Sequence, residues 1–214
     1  MVDHVTEVAD PVSAERRPRF RDAWILQKAV RESILTSPGS FLKTVTDVDN
    51  TDVGIWDKEI SNSTWVVIQK FDKVVGVAVA RWPDKEIDRN IDQDGARFIE
   101  SVWIAPEFRG SHMGERLVNY LMEEERKRYP TVSRFMLWVF KDNKRAIRLY
   151  KRMHFKRVDK HALQDRRVEL RYEYVLRNMS TKGLARKSRA NAAARERDRR
   201  QHGLTYRVLA RDIR

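Results

Sequence analysis

Between residues 97 and 128 a β-rich run, RFIESVWIA, passes through Pro106 and Glu107 into the turn Arg109-Gly110-Ser111-His112-Met113-Gly114. A helical repeat follows without a break. Met113, Leu117, Val118, Leu121 and Met122 recur at helical spacing. Arg126, Lys127 and Arg128 bring cations to the last turn, where the helix dipole favours them, and Pro130 ends the helix. A strand that feeds such a turn points the unpaired amides of the next helix at the space beyond the strand. The positive pole of the helix lies behind them, so the turn is an anion site. Glycine lets the backbone approach an oxyanion closely, and Arg109 adds a planar charged donor. A phosphate or pyrophosphate is the expected ligand.

The remaining pattern constrains the architecture around this unit. Trp24, Gln27, Ala29, Val30, Ser33 and Ile34 give a loose helical repeat that stops before Ser37-Pro38-Gly39. Trp65, Val67 and Gln69 alternate with Val66, Ile68 and Lys70, and VVGVAVARW follows Asp72-Lys73, as in a hairpin. FMLWVF, at 135 to 140, suits a strand covered on both faces. Asp142 or Asn143 then caps a helix whose stripe is Ala146, Ile147, Tyr150 and Met153. FKRVDK and RRVELRYEYVLR predict a final strand pair, with Val168, Leu170, Tyr172, Tyr174 and Leu176 on one face. This mixed order predicts an α/β sandwich around one sheet and argues against a helical bundle or an all-β barrel.

At 214 residues the chain can bury one ordinary core with sequence left over at its ends. Residues 1–19, with Pro11, Pro18 and no apolar periodicity, are expected to form a mobile leader, 20–177 the domain and 178–214 a basic tail. Cys is absent, which excludes disulfides, zinc thiolate sites and a cysteine nucleophile, and no metal site is expected. No apolar run approaches the roughly 18 residues of a membrane span. The acidic residues in MVDHVTEVADPVSAERRPRF do not suit a signal peptide, so a cytoplasmic location is expected.

The segment ESVWIAPEFRGSHMGERLVNYL, followed about twenty residues later by LWVFKDNKRAIRLYKRMHF, resembles the GCN5-related N-acetyltransferase (GNAT) superfamily. The signature of that family is R/Q-x-x-G-x-G/A after a strand, then N-x-x-A-x-x-x-Y before an aromatic. The resemblance covers about residues 20 to 177 and is sharpest over 98 to 155. It implies a mixed, mostly antiparallel central sheet flanked by helices, with acetyl-CoA as cosubstrate. Arg109, Gly110, Ser111, His112, Met113 and Gly114 would bind its pyrophosphate, the strand at Val102, Trp103 and Ile104 would bind its pantetheine arm, and Asn143 and Tyr150 would lie near the thioester. His112 stands where the middle glycine is usual. His154 stands where a glycine normally precedes Phe155, which suggests a changed helix end; helical backbone at 112 would tolerate a Cβ.

Amine attack on a thioester requires a neutral amine, an acceptor for its proton and a way to protonate sulfur. Glu100 is the candidate base, because the family often places a carboxylate there, directly or through water; a salt-bridged or solvated carboxylate is the alternative. Tyr150 is a proton donor at neutral pH, with an ordinary pKa of about 10. Its alternative is a core position on the helix stripe. The acceptor is expected to be a primary amine of a small molecule or a protein.

From Asn178 onward eleven Lys and Arg stand against Glu196, Asp198 and Asp212, a net +8 of the chain's +13. ARKSRANAAARERDRRQ reads as a solvated, helical or disordered extension, with contact to nucleic acid or a ribonucleoprotein as the alternative. LTYRVLARDI faintly resembles one helix of a helix-turn-helix. A nucleic-acid-binding or adaptor protein on a retained acyltransferase scaffold is the rival reading. Every catalytic candidate precedes Arg177, so a chain ending there is expected to keep its chemistry.

Overall fold

The computed structural model describes residues 21–41, 43–84, 94–162, 168–176 and 181–210. The leader expected over 1–19 lies outside them. Seven strands form one sheet: β1 (Ser63–Lys70), β2 (Lys73–Arg81), β3 (Ala96–Ile104), β4 (Arg134–Phe140), β5 (Lys156–Ala162), β6 (Val168–Val175) and β7 (Leu204–Leu209), in the order β5-β6-β4-β3-β2-β1-β7. β3 and β4 run parallel, and every other neighbouring pair is antiparallel. The helices are α1 (Arg21–Thr36), α2 (Val45–Asp49), α3 (Val53–Asn62), α4 (Met113–Arg128), α5 (Lys144–Arg152) and α6 (Thr181–His202).

α1 buries Ala23, Leu26, Ala29, Val30, Ser33 and Ile34, while Trp24, which the sequence pattern assigned to this stripe, is exposed. α2 and α3 had no strong periodicity to announce them. Their starts are fixed by short polar devices instead: a capping box between Thr44 and Asp47, and the Asp52 side chain accepting from the Gly54 amide. Trp56 and Ile60, one helical turn apart, then anchor α3 in the core. The α4 stripe is buried as its spacing predicts, but Glu125 is fully buried on the same helix. Its partner is Arg97 of β3, which also donates to the Ala80 carbonyl at 3.0 Å. The Arg97 guanidinium lies against the rings of both Trp82, at 4.3 Å, and Tyr129, at 4.7 Å, which meet edge to face at 5.0 Å. Burial pushes Arg97 down and Glu125 up from their usual values, against the attraction between them.

Over 181–210 the segment expected to be a helical or disordered extension is a helix and a strand, both docked on the domain. α6 packs on α4 through Arg116–Asp198 at 2.7 Å and Arg195–Glu123 at 3.1 Å. β7 pairs with β1 from Trp65↔Leu209 to Lys70↔Leu204. LTYRVL is therefore a strand and not a recognition helix, because Leu204 and Leu209 are fully buried and the run is rich in β-formers. The run of charges hid two docking elements: the polar residues facing inward on α6 are the ones that bond to α4.

Candidate active site

The central geometric event is the separation of β3 from β4. Their parallel pairing covers Ala96↔Arg134, Arg97↔Phe135 and Phe98↔Met136 and goes no further. Beyond it, β3 bulges: Val79 opposes Glu100 and Val77 opposes Trp103, so Ser101 and Val102 share Ala78, and Ser101 takes φ 52°. A bulge bends its strand and leaves backbone groups unpaired. A cavity of about 1360 Å³ opens there, lined by Ile99 to Val102 on one side and by Trp138, Val139, Phe140, Asn143, Ala146 and Tyr150 on the other. Val102 lines this cavity. Trp103 turns the other way, into the core, where its indole donates to Thr36 Oγ1 at 2.8 Å.

At the far end of β3 stands the turn. Gly110 has φ 86°, and a Cβ built on it meets nothing within 4 Å, so its backbone is open to approach. The Ser111 hydroxyl donates to the Phe108 carbonyl at 2.7 Å and the Ser111 carbonyl accepts from Arg116 at 2.8 Å, which hold the turn. His112 is the N-cap of α4 and makes no side-chain cap bond. The first intrahelical bond runs from the Arg116 amide to the His112 carbonyl, at 3.1 Å. The amides of Met113, Gly114 and Glu115 therefore stand at the helix mouth without intrahelical acceptors.

Two expectations are corrected here. The backbone at His112 is left-handed, with φ 59° and ψ 11°, and not helical. The position thus keeps the conformation that a glycine would take, at a steric cost that His tolerates better than most residues. His154 is also left-handed, at φ 67°. It closes α5 with the Phe155 amide on the Tyr150 carbonyl and the His154 amide on the Lys151 carbonyl, both at 3.0 Å. That bond pattern is a Schellman end, so the helix terminus is unchanged without its glycine. Both histidines hold the left-handed backbone that glycine most readily takes.

Arg109 donates from Nε to the Ile104 carbonyl and from Nη2 to Ser37 Oγ, both at 2.7 Å. Burial, and then the nearby charge of Arg145, push its guanidinium below its ordinary value. Gly114 has a packing reason that its sequence position did not reveal: a Cβ there would lie 3.3 Å from Leu149 Cδ2 of α5. Asn143 caps α5, accepting from the Ala146 amide at 3.1 Å, and its Nδ2 donates to Ser40 Oγ at 3.4 Å. Tyr150 is buried, its ring 5.7 Å from that of Phe155, and burial raises its phenol well above the usual range. Glu100 lines the cavity with its carboxylate held by Arg81.

Sequence reasoning passed over the charge on α5. Lys144, Arg145, Arg148, Lys151 and Arg152 are all exposed, with no acid in the nine residues of the helix. Arg152 bonds Glu115 at 2.7 Å, and His112 meets the same carboxylate at 3.1 Å. Burial opposes the ionised form of Glu115, but these two bonds outweigh it and hold the carboxyl below its usual value. The negative charge nearest the helix mouth is thereby neutralised, which favours an anionic ligand there.

A mouth of open amides, flanked by Arg109 and Arg145 and leading along an unpaired strand edge to a cavity with a carboxylate and a phenol, suits a nucleotide thioester. The fold and site together define a coenzyme A-dependent acyltransferase. Residues 31–155 match the model of the Acetyltransferase (GNAT) family, more than half of the chain, and the chain belongs to that family, whose cosubstrate is acetyl-CoA. No curated protein matches by sequence. Among solved structures, the chain is similar to a ribosomal-protein-alanine N-acetyltransferase from Brucella melitensis, at 20% identity and TM-score 0.57 over 73% of this chain and 96% of that one. It is also similar to yncA from Salmonella typhimurium, a putative acetyltransferase with its cofactor acetyl-CoA, at 15% identity and TM-score 0.56 over 76% and 92%. A third is the aminoglycoside acetyltransferase AAC(6')-Ib with coenzyme A and kanamycin, at 19% identity and TM-score 0.55 over 74% and 91%. Among the described residues no helix is long and apolar enough to cross a membrane.

Proposed function

We propose that this acetyltransferase acylates a primary amine seated in the cavity between β3 and β4, with Glu100 and Tyr150 as its proton-handling groups. The observation that carries the reading is that Glu100, from the bulged edge of β3, and Tyr150, from α5, line one cavity. Acetyl-CoA supplies an acetyl group activated as a thioester. The amides of Gly110 to Gly114 hold its pyrophosphate and the open edge of β3 at Val102 to Ile104 orients its pantetheine arm. Such pre-positioning replaces a bimolecular encounter. The amine nitrogen bonds the acetyl carbon as the carbon–sulfur bond breaks. Glu100 accepts the proton leaving nitrogen, and the Tyr150 hydroxyl protonates sulfur.

Glu59, Glu100 and Glu169 line the cavity together with Trp56, Trp65 and Trp138, and Lys43 and Arg171 of the same wall already lie over Trp56 and Trp138. Carboxylates and aromatic faces both attract an alkylammonium ion in a chain of strongly positive charge. The test measures thermal stabilisation by acetyl-CoA and release of free thiol with an alkyl diamine, a lysine peptide and a peptide with a free α-amine. Acetyl-CoA at 100 times its Kd adds about 2.7 kcal/mol. Gly110→Glu places a negative charge in the anion site and removes the stabilisation. Stabilisation unchanged in that variant, or thiol release that no amine accelerates, refutes the reading.

A further inference from the structure

α6 carries two opposed faces. On one, Lys187 lies over Tyr174 at 5.2 Å, Asn191 and Arg195 bond Glu123, Arg195 lies over Tyr120 at 4.1 Å, and Asp198 accepts from Arg116 at 2.7 Å and Tyr206 at 2.6 Å. This face is spent on docking to α4, β6 and β7. Lys182, Arg186, Arg189, Arg197 and Arg200 recur at steps of three, four or eight residues, which keeps them on one side of a helix, and all five are exposed. At 1.5 Å per residue the stripe is about 27 Å long. Glu196 is the acid of α6 on this side, and it is held by Arg199 at 2.8 Å and Arg200 at 2.6 Å.

A membrane-surface helix needs large apolar residues beside its bases. Here the exposed positions among the bases include Ala185, Ala190, Ala192 and Ala193. Protein interfaces likewise centre on buried aromatic or apolar anchors, which this side of α6 lacks. A regular row of guanidinium groups on a helix braced by the fold suits a row of phosphates.

We infer that the outward side of α6 is a docking surface for the phosphate backbone of a nucleic acid, independent of the acetyl-transfer site and indifferent to base sequence. Of the helical and disordered forms expected of this extension, residues 181–202 take the helix, which presents the stripe already formed. Contacts to phosphates carry no sequence information, so duplexes of unrelated sequence are expected to bind alike.

The test is fluorescence anisotropy of the full chain with two labelled duplexes of unrelated sequence, between 50 and 200 mM salt. Both duplexes bind with comparable affinity. The Arg186→Gln, Arg189→Gln, Arg197→Gln triple variant flattens the log–log salt slope by about 2.7, at roughly 0.9 for each phosphate that is no longer neutralised. Its melting temperature and thiol release with an amine stay at the level of the unaltered chain, because none of the three side chains touches the core or cavity. Unchanged affinity and slope in the triple variant overturn the inference. So does an absence of duplex binding at 50 mM salt, or binding to vesicles of anionic lipid in its place.

Discussion

Arg81 holds Glu100 through two nitrogens on one oxygen, Nε at 2.8 Å and Nη2 at 2.7 Å from Oε1. The pairing fixes the carboxylate at the cavity wall and leaves Oε2 for a proton. Glu100→Gln keeps the size of the side chain and removes its basicity, so kcat falls by about 10² to 10⁴ at neutral pH with acetyl-CoA affinity nearly unchanged. Arg81→Met keeps the carboxylate's basicity but releases it from its anchor, so it lowers kcat by less than Glu100→Gln does. Steady-state kinetics of both variants decide the point: an unchanged kcat in Glu100→Gln reduces the carboxylate to a partner of Arg81.

Tyr150→Phe keeps the ring against Phe155 and removes the hydroxyl alone. Turnover falls by about 10² to 10⁴ if that hydroxyl protonates sulfur. Burial raises the phenol, so its protonated form persists at and above the ordinary value of about 10. The kcat profile of the unaltered enzyme therefore shows no alkaline decline due to Tyr150 up to that pH. Full turnover by the phenylalanine variant assigns Tyr150 to packing.

His154→Gly removes a side chain from a left-handed backbone position and leaves the bonds that close α5 in place. Stability rises by about 0.5 to 1 kcal/mol, read from the urea midpoint at constant m-value. Loss of stability would mean that the imidazole makes an interaction of greater worth than the backbone relief.

A chain ending at Arg177 loses β7 and α6. Leu204 and Leu209 are fully buried, and burial of each is worth about 1.5 to 3 kcal/mol, a large part of the roughly 5 to 15 kcal/mol that holds a domain. The β1 edge would also be left unpaired. The truncated chain melts at a lower temperature or precipitates, contrary to what the position of the catalytic candidates suggested. A cooperative melt at the full-length temperature would show that these elements are dispensable.

The legible parts of the sequence were those in which one local rule decides. Gly110 before an apolar stripe marked the turn into α4, and Asn143 before Ala146 marked a capped helix. Glu100 and Tyr150 were named as candidates through the family resemblance, and nothing local could have shown that Arg81 grips the first or that burial shifts the second. Long-range partners were hidden for the same reason. Nothing local marked Arg97 and Glu125 as buried, because each is neutralised by a residue 28 positions away. Asp198 vanished among arginines, although it anchors α6 to Arg116 and Tyr206. Leu204 and Leu209 were too few to announce a strand without β1 beside them.

The pairing of Trp65 with Leu209 joins residues roughly 140 apart, whereas β1 and β2 meet through a two-residue turn. Closing so long a loop is entropically costly and contributes little until the strands align, which makes such pairings late steps in folding. The hairpin can form early and must then wait with one side of β1 uncovered. During that interval Trp65, Val67 and their neighbours present an apolar strand edge to other chains, so refolding yield should depend on protein concentration even though the finished sheet has that edge closed.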